Sequence, residues 1–153
     1  MIKKIILFSF SFSLLLLVSC GYQPLYKQIA SNYEFFDLKF DGDQNLSMKI
    51  LDNFNIVENK LDNTLNSLTI KSTLLIEETS KNSRGLAESY RSNLNIEISI
   101  FKNQKVIQSQ NFNESFSYNE KNTRFELLDY QKQIEEILIR KSNNKIRLYL
   151  NKL

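Results

Sequence analysis

The chain has 153 residues, enough for one domain with a sizeable core, and its 20 Lys and Arg against 17 Asp and Glu leave it nearly neutral, which argues against bulk nucleic-acid binding. It has no histidine and a single cysteine, which excludes Ser-His-Asp and Cys-His catalysis, the usual zinc ligand sets and any internal disulfide. Three glycines and one proline provide no Gly-rich loop to cradle a phosphate, so the composition points to a binding or structural protein rather than an enzyme, with no cofactor and no metal expected.

Lys3 and Lys4 open the chain, and an apolar run broken only by small serines follows from Ile5 to Val18. A cationic start, a short apolar middle and a small residue before a cut make a secretory signal. The run is too short to span a bilayer comfortably. Leu17-Val18-Ser19-Cys20 resembles the lipobox of bacterial lipoproteins, in which the cysteine thiol takes a diacylglycerol, the signal is removed before it, and the new amine is acylated. Several acyl chains bury enough methylene groups for stable anchoring, where one does not. Cys20 is therefore the predicted lipidation site, with its covalent lipid the only non-protein group expected. The other reading is a plain signal peptide with a chance cysteine at its edge. Gly21, which is not aspartate, favours the outer membrane by resemblance to enterobacterial sorting. Loss of residues 1–19 removes Lys3 and Lys4 and no acid, leaving 18 basic against 17 acidic side chains. The expected organisation is a signal peptide over 1–19, a lipidated tether over 20–32 and an α+β domain over 33–153.

In the tether, Pro24 biases Gln23 to extended backbone. From Tyr33 to Phe40 the alternation of Phe36, Leu38 and Phe40 with charged residues predicts a strand, interrupted in pattern by Phe35. Asp41-Gly42-Asp43 signals a turn and a helix start. A helix is predicted to run to about Lys60, with Leu46, Ile50, Phe54, Val57 and Leu61 as its stripe. Leu68, Ile70, Leu74 and Ile76 alternate with polar residues in a second strand, and Thr79 to Gly85 reads as a loop. Leu94, Ile96, Ile98 and Ile100 give the cleanest alternation, a third strand from about Tyr90 to Phe101. Lys102 to Lys105 reads as a hairpin turn. A fourth strand follows from Val106 to about Tyr118, its polar middle at Gln108 to Asn111 suiting a bulge or a sheet edge. Thr123-Arg124-Phe125-Glu126 is a capping-box pattern that starts a final helix. Leu127, Tyr130, Ile134, Ile137, Leu138, Ile146 and Tyr149 form its predicted stripe, and Ser142-Asn143-Asn144 suggests a kink or early fraying. Each element has one apolar face. The predicted fold is thus α+β: a two-layer, four-stranded mixed sheet with two helices on one face, in the order β-α-β-β-β-α.

The start Cys20-Gly21-Tyr22-Gln23-Pro24-Leu25-Tyr26, the stretch Phe116-Ser117-Tyr118-Asn119 before the last helix, and this element order together resemble the LPS-assembly lipoprotein LptE family, in particular its alphaproteobacterial type. The final helix departs from the family in being rich in Ile, Leu, Glu and Lys rather than alanine. The resemblance implies an outer-membrane lipoprotein of the lipopolysaccharide translocon, lipid-anchored on the periplasmic side or within a barrel lumen. Its implied partners are an LptD-type β-barrel, which it plugs and helps to assemble, lipopolysaccharide, and the membrane through its anchor; no nucleic acid is implied. Lys81, Arg84 and Arg91 flank the turn between the second and third strands, where cations can pair with lipid A phosphates, and Gly85 would let the backbone come close. Exposed charges that aid solubility are the plainer reading of the same three residues. Glu77-Glu78 and Glu135-Glu136 are sequence neighbours that point apart, so neither is a good acid/base pair. Tyr22, Tyr26, Tyr33 and Phe35 are candidates for contact with a partner or the membrane interface, with core packing the expected fate of Phe35. A structural adaptor or pilot lipoprotein for another outer-membrane assembly is the alternative function.

Overall fold

Three successive segments of alternating side chains build the centre of the molecule. The structure, a computed structural model, describes residues 32–152. In chain order the elements are β1 (Asn32–Phe35), β2 (Leu38–Gly42), α1 (Gln44–Leu51), β3 (Asn55–Glu58), β4 (Ser67–Lys81), β5 (Ala87–Lys102), β6 (Lys105–Asn119) and α2 (Arg124–Leu150). The main sheet has the order β2-β4-β5-β6; β2 runs parallel to β4, and the other pairs are antiparallel. This is the mixed four-stranded sheet read from the sequence.

One face of the sheet is apolar. Leu68 and Ile70 of β4, Leu94, Ile96, Ile98 and Ile100 of β5, and Phe112 and Tyr118 of β6 are all buried on it. Both helices cover that face. From α1 come Leu46, Ile50 and Leu51; from α2 come Leu127, Ile134, Leu138, Ile139, Ile146, Tyr149 and Leu150. Burying such side chains contributes about 2 kcal/mol each before the entropy of ordering them is set against it. Lys49 of α1 bridges to Glu135 of α2 at 2.7 Å and ties the two helices across the seam.

The close docking of α1 depends on Gly42. Its φ is +72°, and a Cβ there would lie 2.5 Å from the Ser72 carbonyl oxygen. That approach lets the Asp43 N–H donate to the Ser72 carbonyl at 3.0 Å while the Asp43 carboxylate caps α1 at the Leu46 N–H. Ser72 Oγ donates to the Asp43 carbonyl, so in the buried 2.7 Å pair between Ser47 and Ser72 the Ser47 hydroxyl is the donor.

Several local expectations are corrected. The strand predicted over Tyr33–Phe40 is two strands, parted at Phe36-Asp37, and Phe35 is buried in the core. The first helix does not run to about Lys60: it ends at Leu51. Asn53 takes the Lys49 carbonyl with its side-chain amide, and Asn and Asp favour caps over helix interiors. The β-branched Ile56 and Val57 then enter β3, which pairs parallel with β1. Of the proposed stripe Leu46, Ile50 and Phe54 are buried, whereas Val57 is exposed and Leu61 fully so. β4 runs on to Lys81, so the loop shrinks to Asn82–Leu86. The hairpin at Asn103-Gln104 is tight, with both residues at positive φ, the geometry of a type I′ turn. The polar middle of β6 is at an edge, and the one register shift in this pair lies between Ile100 and Phe101. The last helix is continuous through Ser142-Asn143-Asn144, because Ser142 and Asn143 are buried in a packed seam flanked by Ile139 and Ile146.

Candidate functional site

The β4–β5 hairpin carries the three predicted cations. Its tip is organised by Asn82, whose side-chain oxygen accepts from the Arg84 and Leu86 N–H groups at 2.9 and 3.0 Å. Gly85 closes the turn at φ +79°, with open space where a Cβ would stand. Lys81 pairs with Glu78 at 3.1 Å. Glu78 lies opposite Tyr90, which stacks on the buried Tyr118, so this ion pair belongs to the helix-covered face. Arg91 follows Tyr90 and points to the other face, where its Nε donates to Ser117 Oγ at 3.2 Å and Glu77 is its register partner. Arg84 stands exposed at the tip. The hairpin therefore displays the three cations on two faces and a tip, and Glu78 and Glu77 accompany two of them.

A tyrosine cluster closes the same end of the sheet. Tyr90 and Tyr118 stack with centroids 5.6 Å apart, and Tyr118 meets Tyr130 of α2 edge-on at 5.8 Å. Lys121 sits 3.9 Å above the Tyr130 ring, a cation–π contact. The Tyr90 hydroxyl donates to the Glu120 carboxylate. That hydrogen bond, then burial and the Glu120 charge, push the Tyr90 phenol up to about 12. A folded-state pKa above the unfolded one favours the protonated form, so its stabilisation is complete below about pH 10 and is lost as pH rises toward 12. In urea titrations the midpoint of the wild-type chain should fall more steeply between pH 10 and 12 than that of Tyr90→Phe; parallel curves would remove the role of this bond. The cluster was not singled out from sequence, although Tyr90 and Tyr118 share the inward parity of their strands.

The opposite face of the sheet has no covering element among the described residues. It presents Thr69, Thr73, Asn93, Asn95, Ser99, Asn111, Asn113 and Ser115, with Lys71, Glu77, Arg91 and Glu97 as scattered charges. A shallow depression there is lined by Leu75, Glu77, Asn93, Asn95, Asn113 and Ser115. The amides and hydroxyls bond across strands, as between Ser99 and Ser109 at 3.0 Å and Asn93 and Glu77 at 3.0 Å. Such groups donate and accept alike and suit a polar, neutral counter-surface.

Of the other residues raised from sequence, Cys20, Tyr22 and Tyr26 lie outside the described residues. Tyr33 donates to Asn151 at the end of α2, and Phe35 joins the core. Glu77 and Glu78 turn to opposite faces, bonding Asn93 and Lys81; Glu135 bridges to Lys49. Among the described residues no three His, Cys, Asp or Glu side chains gather to hold a metal ion, and no helix is long and apolar enough to cross a membrane.

No protein-family model and no curated protein matches the chain in sequence. Its fold is found in solved lipoproteins. It is similar to the rare lipoprotein B from Shewanella oneidensis at 14% identity and TM-score 0.53, over 76% of this chain and 95% of that one. A minor lipoprotein from Acinetobacter baumannii is similar at 13% identity and TM-score 0.54, over 76% and 88%. A lipoprotein B from Nitrosomonas europaea is similar at 12% identity and TM-score 0.51, over 85% and 88%. The chain has the fold of these lipoproteins.

Proposed function

We propose that this chain is a lipoprotein of LptE type, anchored through Cys20 to the outer membrane, that plugs and helps to assemble an LptD-type β-barrel and binds lipopolysaccharide for delivery to the cell surface. The observation that carries the reading is the fold shared with the rare lipoprotein B of Shewanella oneidensis across 95% of that chain. The lipobox Leu17-Val18-Ser19-Cys20 and the leader through Tyr26 support it from the sequence. The open sheet face of amides and hydroxyls supports it physically, since the interior of a wide outer-membrane barrel is polar. The role is one of binding and plugging, with no covalent chemistry and no cofactor beyond the lipid on Cys20. For lipopolysaccharide, Arg84 at the hairpin tip makes the first phosphate contact, Lys81 exchanges Glu78 for a second, and Arg91 serves from the open face.

One purification tests this. The full chain, tagged at its C-terminus and isolated from native envelopes in mild detergent, should bring down one large outer-membrane β-barrel together with lipopolysaccharide. Lys81→Glu combined with Arg84→Glu should cut the recovered lipopolysaccharide by about tenfold and leave the barrel bound, since two charge reversals remove two charge-assisted contacts. Repeated recovery of a different assembly, with no such barrel, would replace this function with that of an adaptor lipoprotein.

A further inference from the structure

The end of the sheet away from the β4–β5 hairpin gathers exposed apolar side chains close to where the chain enters the domain. Strand pairing fixes which segments share that end. Leu38 at the start of β2 lies opposite Leu68, Ser67 at the start of β4 lies opposite Phe101, and Phe101 lies opposite Val106. The β5–β6 turn and the 59–66 loop that feeds β4 are therefore at one end. Leu61 in that loop is 99% exposed, and Val106 and Ile107 beside the turn are 56% and 54% exposed. Lys102 and Lys105 bracket the turn, and no acid stands between Glu97 and Glu114. We propose that this end rests on the anionic headgroups of a lipid bilayer, with Leu61, Val106 and Ile107 set into the boundary between headgroups and acyl chains.

The inference rests on the anchor at Cys20 proposed above, and the chain's own connectivity argues for this occupant. β1 opens the described domain at Asn32, and directly after β1 the Phe36 N–H donates to the Asn66 carbonyl at 2.8 Å, at the base of the same loop. From Cys20 to Asn32 the chain reaches at most about 40 Å. Contact through the near end uses little of that reach, whereas the opposite hairpin tip lies about 50 Å from it along β5 and contact there would exhaust it. Charge agrees with this choice. The acids at the near end are answered within the protein: Asp37 and Glu58 by Lys60 at 3.7 and 3.3 Å, and Asp62 by the N–H and hydroxyl of Thr64. Lys102 and Lys105 are thus left to set the sign of the turn. Basic side chains draw a surface to an anionic leaflet, and apolar ones hold it by the area they bury, so the two sets act together.

Fluorescence depth measurements test this with the full lipidated chain, reconstituted in phosphatidylcholine vesicles holding about 30% phosphatidylglycerol. With Cys20 lipidated, a thiol introduced elsewhere is the only one to take an environment-sensitive fluorophore. Spin-labelled lipids should quench the fluorophore at Leu61→Cys and at Ile107→Cys at least about threefold more than at Ser83→Cys on the opposite hairpin tip, because only the first two reach the acyl boundary. Lys102→Glu combined with Lys105→Glu should bring the quenching at Ile107→Cys down to the level of Ser83→Cys while the anchor keeps the chain on the vesicles. Matching circular dichroism spectra show that each variant is folded. Labelling of the unsubstituted chain would show a bare Cys20 and overturn the anchor together with this orientation. In a chain whose Cys20 takes no label, equal quenching at both ends, no quenching at Leu61→Cys and Ile107→Cys, or quenching that ignores the charge reversal would overturn the orientation alone.

Discussion

Gly42→Ala is expected to lower the free energy of unfolding by about 3 kcal/mol, a large share of the total for a domain of this size. Two effects combine. The residue sits at φ +72°, where a side chain costs about 1 kcal/mol. The added Cβ would also stand 2.5 Å from the Ser72 carbonyl oxygen, a backbone atom that cannot swing aside and that already accepts the Asp43 N–H. Relief requires β2 to move off β4, which loosens the Asp43 cap and the buried Ser47–Ser72 hydroxyl pair together. Gly85→Ala is the matched control, since it has φ +79° but nothing within 4 Å of the new methyl, and should cost only about 1 kcal/mol. Urea unfolding of both variants decides the point; equal losses would mean that the close approach at Gly42 contributes nothing.

Ile146→Ala is expected to cost about 3 to 4 kcal/mol, because the side chain is fully buried and its loss leaves a cavity between α2 and the sheet. Leu148→Ala, two residues on and 64% exposed, should change stability by less than about 0.5 kcal/mol. The pair also tests whether the last third of α2 is held by packing. With Ile146 truncated, amide protons from Ser142 to Leu150 should exchange faster than those before Ile139. Uniform exchange along the helix would show that its own propensity suffices.

The architecture was readable where one periodicity dominated. Along β5 four branched residues alternate with Asn, Glu and Ser, and every one of the four is buried. The capping pattern at Thr123 gave the start of α2, and the Thr123 hydroxyl does accept the Glu126 N–H. Periodicity failed where tertiary pairing competes with local pattern. Phe54 and Val57 continue a helical spacing from Ile50, yet the chain turns at Asp52-Asn53 and spends Ile56 and Val57 on a strand that pairs with β1, twenty-odd residues earlier. The helix through Ser142-Asn143-Asn144 was obscured by three poor helix formers, and packing of Ile139, Ile146 and Tyr149 overrides them. Lys81, Arg84 and Arg91 were legible as residues near one turn, but strand parity, shifted by the irregularities after Glu78, set them on different sides. The tyrosine cluster needed the register of three elements at once, which no window of sequence contains.

The tight reversal at Asn103-Gln104 and the contiguity of β4, β5 and β6 have a kinetic meaning. These three strands need only short loops to close, so their meander forms early in folding. β2 reaches β4 by a parallel crossover through α1, β3 and a long connection, and its contacts reward the chain only after that larger closure. The N-terminal portion therefore docks last onto a preassembled template. Residues whose truncation slows refolding should accordingly gather in the meander, while changes at Gly42 or Ser47 mainly hasten its unravelling.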